Sequence, residues 1–192
     1  MVYAVRVPVK RPGAYQVRVG VRDVMAGKIG TDSQFIEVPD LREDGLALSG
    51  IFVTSVPGAA ATEPGAAQQA GPPLGQRATP LREATLQCFS RGSQADFRYQ
   101  IYNARVERAT GRPRLLTQVR LFRDGRAVFK GAVQPYDPGA QADMTRLPAG
   151  TRISFNAQFT PGEYALQVVV TDAPAGARPR TMTQWIDFEI VK

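Results

Sequence analysis

The chain has 192 residues, of which 43% are hydrophobic, and a formal net charge of +7, so it can form one large domain or two small ones. It contains no histidine, which excludes histidine-based catalytic triads and histidine-containing zinc sites. Its single cysteine, Cys88, excludes an intrachain disulfide and is expected to be a small buried hydrophobic residue. No segment reaches the length of an apolar transmembrane helix, so we expect no membrane insertion.

Basic residues outnumber acidic ones by 24 to 17, and most of them are arginine. They do not cluster, because Arg18, Arg98 and Arg120 alternate with apolar neighbours as residues on the solvent face of a strand do. Nucleic-acid binding normally needs clustered cations that neutralise phosphates. We therefore expect no nucleic-acid partner.

The N-terminal part of the chain contains three segments of strand-like alternation. Val2–Val9 is the first, and a tight turn at Pro12–Gly13 leads into a second that begins at Tyr15 and has valine at alternate positions. Gln34–Val38 follows a glycine-bearing loop. A tyrosine just behind such a turn is typical of the tyrosine corner of immunoglobulin-like sandwiches, in which the ring packs inside and the hydroxyl binds nearby backbone.

The same unit returns near the C-terminus. Ile153–Phe159 is its first strand, Pro161–Gly162 its turn, Tyr164 its tyrosine, and Gln184–Phe188 its last strand. We align this last strand with Gln34–Val38, glutamine on glutamine. Self-similarity over such a length indicates that one supersecondary unit occurs twice, with a structural tyrosine in each copy.

Only the second unit is preceded by a full complement of strands. We therefore predict an all-β protein in which residues 1–40 supply strands E, F and G of a partial immunoglobulin-like sandwich and residues 41–192 form a complete one. Three strands cannot cover a core, so the first piece is expected to belong to a larger protein. The alternative is that it pairs onto the second domain or onto another chain.

Short strands and turns fill the space between the two units. Leu46–Val53 is an apolar run that predicts strand A, and residues 57–80 are an insertion of alanine, glycine, proline and glutamine that is expected to be flexible. Asp124 and Gly125 predict a type I′ hairpin turn. Four further strands are predicted at Ala84–Ser90, Ala95–Asn103, Leu115–Arg123 and Ala127–Gln134. The core candidates of the third are Leu116, Val119 and Leu121. Pro135–Gly150 is predicted to be a loop.

No catalytic, cofactor-binding or metal-binding motif is present, so no catalytic residue, cofactor or metal is predicted. Asp40, Glu43 and Asp44 cluster in the interdomain link and are an alternative calcium site, but a solvated linker is the better interpretation because the ligands are few. Asp23 and Asp172 end equivalent strands. We expect their carboxylates to cap the following loop as Asx turns rather than to hold a metal.

Four aromatic residues, Tyr99, Tyr102, Trp185 and Phe188, are candidates for a sugar-binding platform. Trp185 and Phe188 lie three positions apart, so they cannot both face inward on a regular strand. One of these rings is therefore exposed unless a bulge intervenes. A single exposed aromatic residue is more often ordinary surface than a ligand site.

Six segments of the chain look familiar: Pro12–Tyr15, Gln34–Leu41, Leu46–Gly50, Tyr102–Ala104, Leu121–Gly125 and Gln184–Phe188. They resemble the C-terminal region of the von Willebrand factor A-related proteins of Acidobacteria, and the similarity covers nearly the whole chain except the 57–80 insertion. The resemblance implies an exported or envelope protein in which a von Willebrand A domain precedes this region. That domain binds a divalent metal through an Asp-Xaa-Ser-Xaa-Ser motif, which this chain lacks, so metal-dependent adhesion is not carried over.

The sequence as a whole predicts a non-catalytic structural or protein-interaction module, acting as an adhesion or spacer domain of an exported bacterial protein. Its expected partner is another protein. The alternative is a carbohydrate-binding accessory domain with a glycan as ligand. An enzyme is not expected, because no segment isolates a pair of carboxylates in an apolar setting.

Overall fold

A computed structural model describes residues 7–42, 45–56 and 87–192, and every regular element in these ranges is a β-strand. Within them, no helix has the length and apolarity needed to cross a membrane. The strands are β1 (Gly13–Arg22), β2 (Ile29–Val38), β3 (Ala47–Leu48), β4 (Phe52–Val56), β5 (Cys88–Ser90), β6 (Gln94–Tyr102), β7 (Val106–Glu107), β8 (Arg112–Pro113), β9 (Leu115–Arg123), β10 (Arg126–Lys130), β11 (Gln134–Pro135), β12 (Arg146–Ser154), β13 (Gly162–Asp172) and β14 (Arg180–Val191).

Two sheets share one hydrophobic core in the C-terminal three quarters of the chain. The larger sheet has the order β10–β9–β13–β14–β5, with β11 also pairing with β9. The smaller has the order β12–β6–β3, with β4 also pairing with β6. Strands β14 and β5 run parallel, and the other pairs in these sheets are antiparallel. The predicted all-β sandwich is confirmed.

Alternate residues of the central strands build the core from both sides. On β6 the inward residues are Phe97, Tyr99 and Ile101, and on β13 they are Leu166, Val168 and Val170. Such alternation is what a strand with one buried face requires, since successive side chains point to opposite faces. An aromatic cluster fills one end of the core, and its members are Phe89, Phe97, Phe155, Tyr164 and Phe188.

The predicted loop at Pro135–Gly150 and the predicted strand at Ile153–Phe159 are partly wrong, because strand β12 begins at Arg146 and ends at Ser154. Gly150 indicated a loop, but it lies in the strand, where a Cβ would come within 2.7 Å of the Phe97 carbonyl oxygen. Pro148 is tolerated because β12 pairs only with β6 among the described strands, and proline is acceptable on an edge.

The predicted strand at Leu46–Val53 is interrupted. Leu48 pairs with Ile101 and Phe52 with Arg98, so the register shifts by one residue between β3 and β4. At the interruption the backbone N–H of Ser49 donates to the carbonyl oxygen of Gln100. The hydroxyl oxygen of Ser49 in turn accepts the backbone N–H of Gln100. One extra residue of this kind is a bulge, which bends a strand without ending the pairing.

Strand β9 has the predicted bounds, but one of its predicted core residues is wrong. Leu115 and Leu121 are buried, whereas Leu116 is half-buried on the opposite face. Leu116 and Val119 cannot share a face because they are an odd number of positions apart.

Only part of the predicted strand Ala84–Ser90 can be compared with the structure. Its last three residues form β5, whereas residues 81–86 lie outside the described ranges, as does the 57–80 insertion.

The N-terminal unit forms a hairpin in which β1 and β2 pair only with each other among the described strands. The preceding strand predicted at Val2–Val9 falls mostly on residues 1–6, outside the described ranges, and Val7–Val9 has no regular structure. The described N-terminal unit is therefore one hairpin rather than three strands.

Candidate functional site

The two predicted structural tyrosines have the same local geometry. The Tyr164 hydroxyl donates to the carbonyl oxygen of Thr160 at 2.9 Å, and the Tyr15 hydroxyl donates to that of Arg11 at 2.7 Å, four positions upstream in both cases. The glycine two positions before each tyrosine has a φ of +140°, a conformation that favours glycine. The hairpins therefore share their entry turn as well as their strands.

The register of the two hairpins corrects the alignment of their second strands. Tyr15 pairs with Ile36, and Tyr164 pairs with Phe188. Ile36 therefore corresponds to Phe188, whereas the sequence alignment placed it on Ile186. The alignment of the second strands was wrong by two residues.

The error has a simple physical origin in the hairpin loops. Arg22 pairs with Ile29 in the first hairpin, so residues 23–28 lie between them. The equivalent pair in the second hairpin is Thr171 and Thr181, which have the longer segment 172–180 between them. A shift of two residues leaves every side chain on its original face, so alternation of apolar and polar residues cannot detect it.

The equivalent apolar faces differ in their surroundings. Leu166, Val168 and Val170 of β13 are each 0% exposed, because the smaller sheet packs against them. Their counterparts on β1 are exposed by 37% (Val17), 54% (Val19) and 62% (Val21). The first hairpin thus presents an apolar face that none of the described residues covers.

The two aspartates that end these strands also differ. The Oδ1 of Asp23 accepts the backbone N–H groups of Met25 and Ala26 at 2.9 and 3.0 Å, which confirms the predicted Asx cap. That prediction is wrong for Asp172, which is fully buried and pairs with Arg180 while its Oδ2 also accepts the Arg105 N–H at 3.1 Å. Asp172 therefore ties the last hairpin to a neighbouring loop instead of capping its own.

Hydrogen bonds connect that buried ion pair to the segment that follows the first hairpin. The Arg180 guanidinium donates to the carbonyl oxygen of Asn103 at 3.0 Å, and the Asn103 side-chain amide donates to the carbonyl oxygen of Leu41 at 3.2 Å. Asn103 has a φ of +56°, which asparagine tolerates better than most residues. The chain just after the first hairpin is thereby anchored to the sandwich.

Of the three residues of the alternative calcium site, only Asp40 lies in the described ranges. The side chain of Arg42 donates to Asp40 at 2.7 Å, and hydrogen bonds from Arg42 lower the pKa of Asp40 to about 2. Glu43 and Asp44, the other two proposed ligands, lie outside the described ranges. Within those ranges no three acidic or cysteine residues group as metal ligands.

Asp124 and Gly125 occupy the turn between β9 and β10. Their φ angles are +51° and +73°, both positive, as the two central residues of a type I′ turn require.

Cys88, which was predicted to be buried, is half-buried. Its thiol lies 3.5 Å from the Glu189 carboxylate, and burial, followed by that carboxylate, raises the pKa of Cys88.

A charged network lies on the outer face of the smaller sheet. Asp96 accepts hydrogen bonds from Arg152 at 2.7 and 3.0 Å and from Arg98 at 3.0 Å. Burial raises the pKa of Asp96, but the hydrogen bonds from Arg152 and Arg98 outweigh it and hold the pKa below its ordinary value. The carboxylate therefore stays charged and links β6 to β12.

This network predicts a loss of stability in acid. Because the folded-state pKa of Asp96 is lowered, its contribution is present above the ordinary pKa of 3.8 and is lost as the pH falls below it. We expect Asp96→Asn to cost about 1–2 kcal/mol at pH 7, a moderate value because both arginines are partly exposed, and to cost less at pH 3. Urea unfolding at both pH values measures this. Asp137→Asn, at an exposed ion pair, is the control, and an equal loss at both pH values for Asp96→Asn would contradict the prediction.

The predicted exposure of one ring of the pair Trp185 and Phe188 is confirmed, and no bulge intervenes in the pairing of β14 with β13. Phe188 is in the core, and Trp185 is 47% exposed on the outer face of the larger sheet. The four-ring sugar platform does not form. Tyr99 is buried in the core, and Tyr102 lies on the smaller sheet.

Trp185 has a different aromatic neighbour, which the sequence analysis missed. The Phe122 ring lies 5.1 Å from it, centroid to centroid, with the planes inclined by 51°. Alternation along β9 could have placed Phe122 on the outer face, opposite to Leu121. Its contact with Trp185 follows only from the pairing of β9 and β14 with the strand β13 between them.

Polar and cationic residues continue the row from Trp185 across the sheet. Trp185 pairs with Gln167, Gln167 with Arg120, and Arg120 with Lys130, so the four residues lie side by side on β14, β13, β9 and β10. We call these residues the Trp185 row. An aromatic surface beside hydrogen-bonding and cationic groups can bind a ligand that is apolar on one side and polar or anionic on the other.

Comparison with known protein families and with curated proteins gives no match for this chain.

Proposed function

We propose that this chain is a non-catalytic structural or protein-interaction module, serving as a spacer or adhesion domain of an exported bacterial protein. The observation that supports it is that two hairpins share the same tyrosine hydrogen bond, one of them within the sandwich and the other with its apolar face exposed. A repeated unit of this kind is typical of chains built from successive similar domains. The exported location rests on the resemblance to the von Willebrand factor A-related proteins.

The strand order supports assigning the sandwich to the immunoglobulin-like type. Strand β13 follows the tyrosine corner and lies between β9 and β14, as strand F lies between C and G. On the other sheet β6 lies between β3 and β12, as strand B lies between A and E.

The first hairpin is proposed to be the F–G hairpin of a second sandwich. In the complete sandwich the face that carries Tyr164 is covered by the smaller sheet, and the equivalent face that carries Tyr15 needs a similar cover. We favour the other strands of that second sandwich as the cover. Packing onto the complete sandwich or onto another chain is the alternative.

Deletion of residues 1–38 tests this modular organisation. We expect the remaining chain to unfold in one cooperative transition with a midpoint close to that of the full chain, because none of the described residues of the hairpin belongs to the core cluster. Urea unfolding followed by circular dichroism measures the midpoint, and sedimentation shows whether self-association falls on deletion. Loss of cooperative unfolding would show that the hairpin is an integral part of the sandwich and would refute the proposal.

A carbohydrate-binding accessory domain is the second candidate, and the half-exposed ring of Trp185 favours it. A pyranose ring has a face of C–H groups that packs well on a tryptophan. A glycan array with the full chain tests this candidate. Saturable binding that Trp185→Ala abolishes supports it, and binding that survives the substitution rejects this site.

A further inference from the structure

We propose that the outer face of the larger sheet binds an acidic saccharide, with one sugar ring on Trp185 and a carboxylate or sulfate group at Arg120 and Lys130. This proposal rests on the carbohydrate-binding candidate above and specifies its ligand. It is carried by the order of the Trp185 row, by the two cations in it, and by a buried amide between the ring and the cations.

The spacing of the row suits a short saccharide. Trp185 and Arg120 lie on strands separated by one intervening strand, which places them about 10 Å apart across the sheet, and Lys130 is about 5 Å further on. This is roughly the length of a disaccharide. A sugar ring on Trp185 therefore places the acidic group of the next unit near Arg120.

The aromatic surface is held in place before any ligand binds. The Phe122 ring contacts Trp185 at 5.1 Å, and the residue paired with Phe122 on the intervening strand is Ala165, whose methyl group leaves room for the contact. A ring fixed in this way loses little rotational freedom on binding, which favours affinity.

The two cations are available for an acidic group. Among the described residues, no carboxylate lies within salt-bridge distance of Arg120 or Lys130. Arg120 uses its Nε to donate to Gln118 at 3.0 Å, which orients the guanidinium and leaves its other N–H groups for a ligand. Asp187 is exposed on the same face of β14, so an anion is directed away from it, toward β9 and β10.

The amide between the ring and the cations also indicates a ligand. Gln167 is only 8% exposed, and its Oε1 has no hydrogen-bond partner among the described residues. An unsatisfied buried acceptor is unfavourable. A small movement of the amide toward a sugar hydroxyl would satisfy it.

A saccharide fits this face better than a protein does. On this face of the sheet, the aromatic surface that the described residues expose is that of Trp185 with Phe122 beside it, whereas a stable protein interface buries about 800 Å² on each partner. The hydrogen-bonding residues of the row, Arg120 and Gln167, match the hydroxyl-rich edge of a sugar.

A matched pair of ligands tests the proposal on the full chain. The probes are an oligogalacturonate and its methyl-esterified form, which differ in charge but not in their sugar rings. Trp185 is the only tryptophan, so its fluorescence reports binding directly, and calorimetry measures the affinity. We expect the acidic form to bind with a change in tryptophan emission, roughly tenfold or more tighter than the ester, and more weakly as salt increases.

Variants assign the binding to the row. The double variant Arg120→Gln/Lys130→Gln is expected to reduce the affinity for the acidic form to that for the ester, and Trp185→Ala to abolish calorimetric binding of both. Arg22→Gln/Lys28→Gln, which removes the same charge from the first hairpin, should leave the affinity unchanged. Equal binding of acid and ester, lost on Trp185→Ala, overturns the acidic preference but keeps the carbohydrate candidate. Absence of binding to either probe, or equal effects of the two double variants, overturns the proposed site.

Discussion

Replacing Phe188 with alanine is expected to lower the free energy of unfolding of the sandwich by about 3–5 kcal/mol, the largest effect of any change considered. Phe188 is at the centre of the aromatic cluster, with the rings of Phe97, Phe155 and Tyr164 at 5.5–5.6 Å from it. Removing the ring leaves a cavity that the surrounding rings cannot close. Urea unfolding followed by far-ultraviolet circular dichroism measures the loss.

Ile36→Ala is the matched control, because Ile36 occupies the equivalent position in the first hairpin and is 40% exposed. We expect it to change the main unfolding transition by less than about 0.5 kcal/mol, as surface substitutions do. A similar loss for Phe188→Ala and Ile36→Ala would mean that the two hairpins share one core, contrary to the proposed organisation.

Asp172→Asn is expected to cost about 2–4 kcal/mol, because it leaves the largely buried guanidinium of Arg180 without its carboxylate. This cost is lower than the largest values for a broken buried ion pair, because Arg180 keeps the carbonyl oxygen of Asn103 as an acceptor. The same urea titration at pH 7 measures it. The Oδ1 of Asp172 has no hydrogen-bond partner among the described residues, so the loss comes mainly from the contacts of Oδ2.

Asp23→Asn, at the equivalent position of the first hairpin, separates this ion pair from an ordinary loop cap. The exposed side chain of Asp23 accepts hydrogen bonds from backbone N–H groups of its own loop, and the side-chain oxygen of asparagine can accept the same bonds. We expect a change of less than about 0.5 kcal/mol. If Asp172→Asn were equally mild, the buried pair would contribute no more than a surface cap, and its anchoring role would have to be abandoned.

Local pattern was sufficient for the fold class and for the faces of strands β6 and β14. The alternation of Phe97, Tyr99 and Ile101 placed their side chains in the core, since a strand has a fixed period of two. The odd spacing of Trp185 and Phe188 predicted one exposed ring for the same reason.

Properties that depend on pairing between distant segments could not be predicted in this way. Gly150 indicated a loop because nothing in its neighbourhood in the sequence shows the approach of the Phe97 carbonyl. Asp172 resembles Asp23 in the sequence, but its partners Arg105 and Arg180 are brought to it by the tertiary fold.

The candidate site illustrates the same limit. Trp185 was identified as a candidate from the sequence, but Gln167, Arg120 and Lys130 were not, because their adjacency is a property of strand order and register. Once the order of β14, β13, β9 and β10 is known, the row follows from pairing alone.

The uncovered face of the first hairpin has a practical consequence for handling the purified chain. Copies that carry a net charge of +7 repel one another at low ionic strength, which opposes contact between their exposed valines. Added salt screens that repulsion over about 10 Å at 0.1 M while leaving the apolar attraction intact. Solubility should therefore fall as sodium chloride is raised, and dilute buffers of low conductivity are the better choice for storage and concentration.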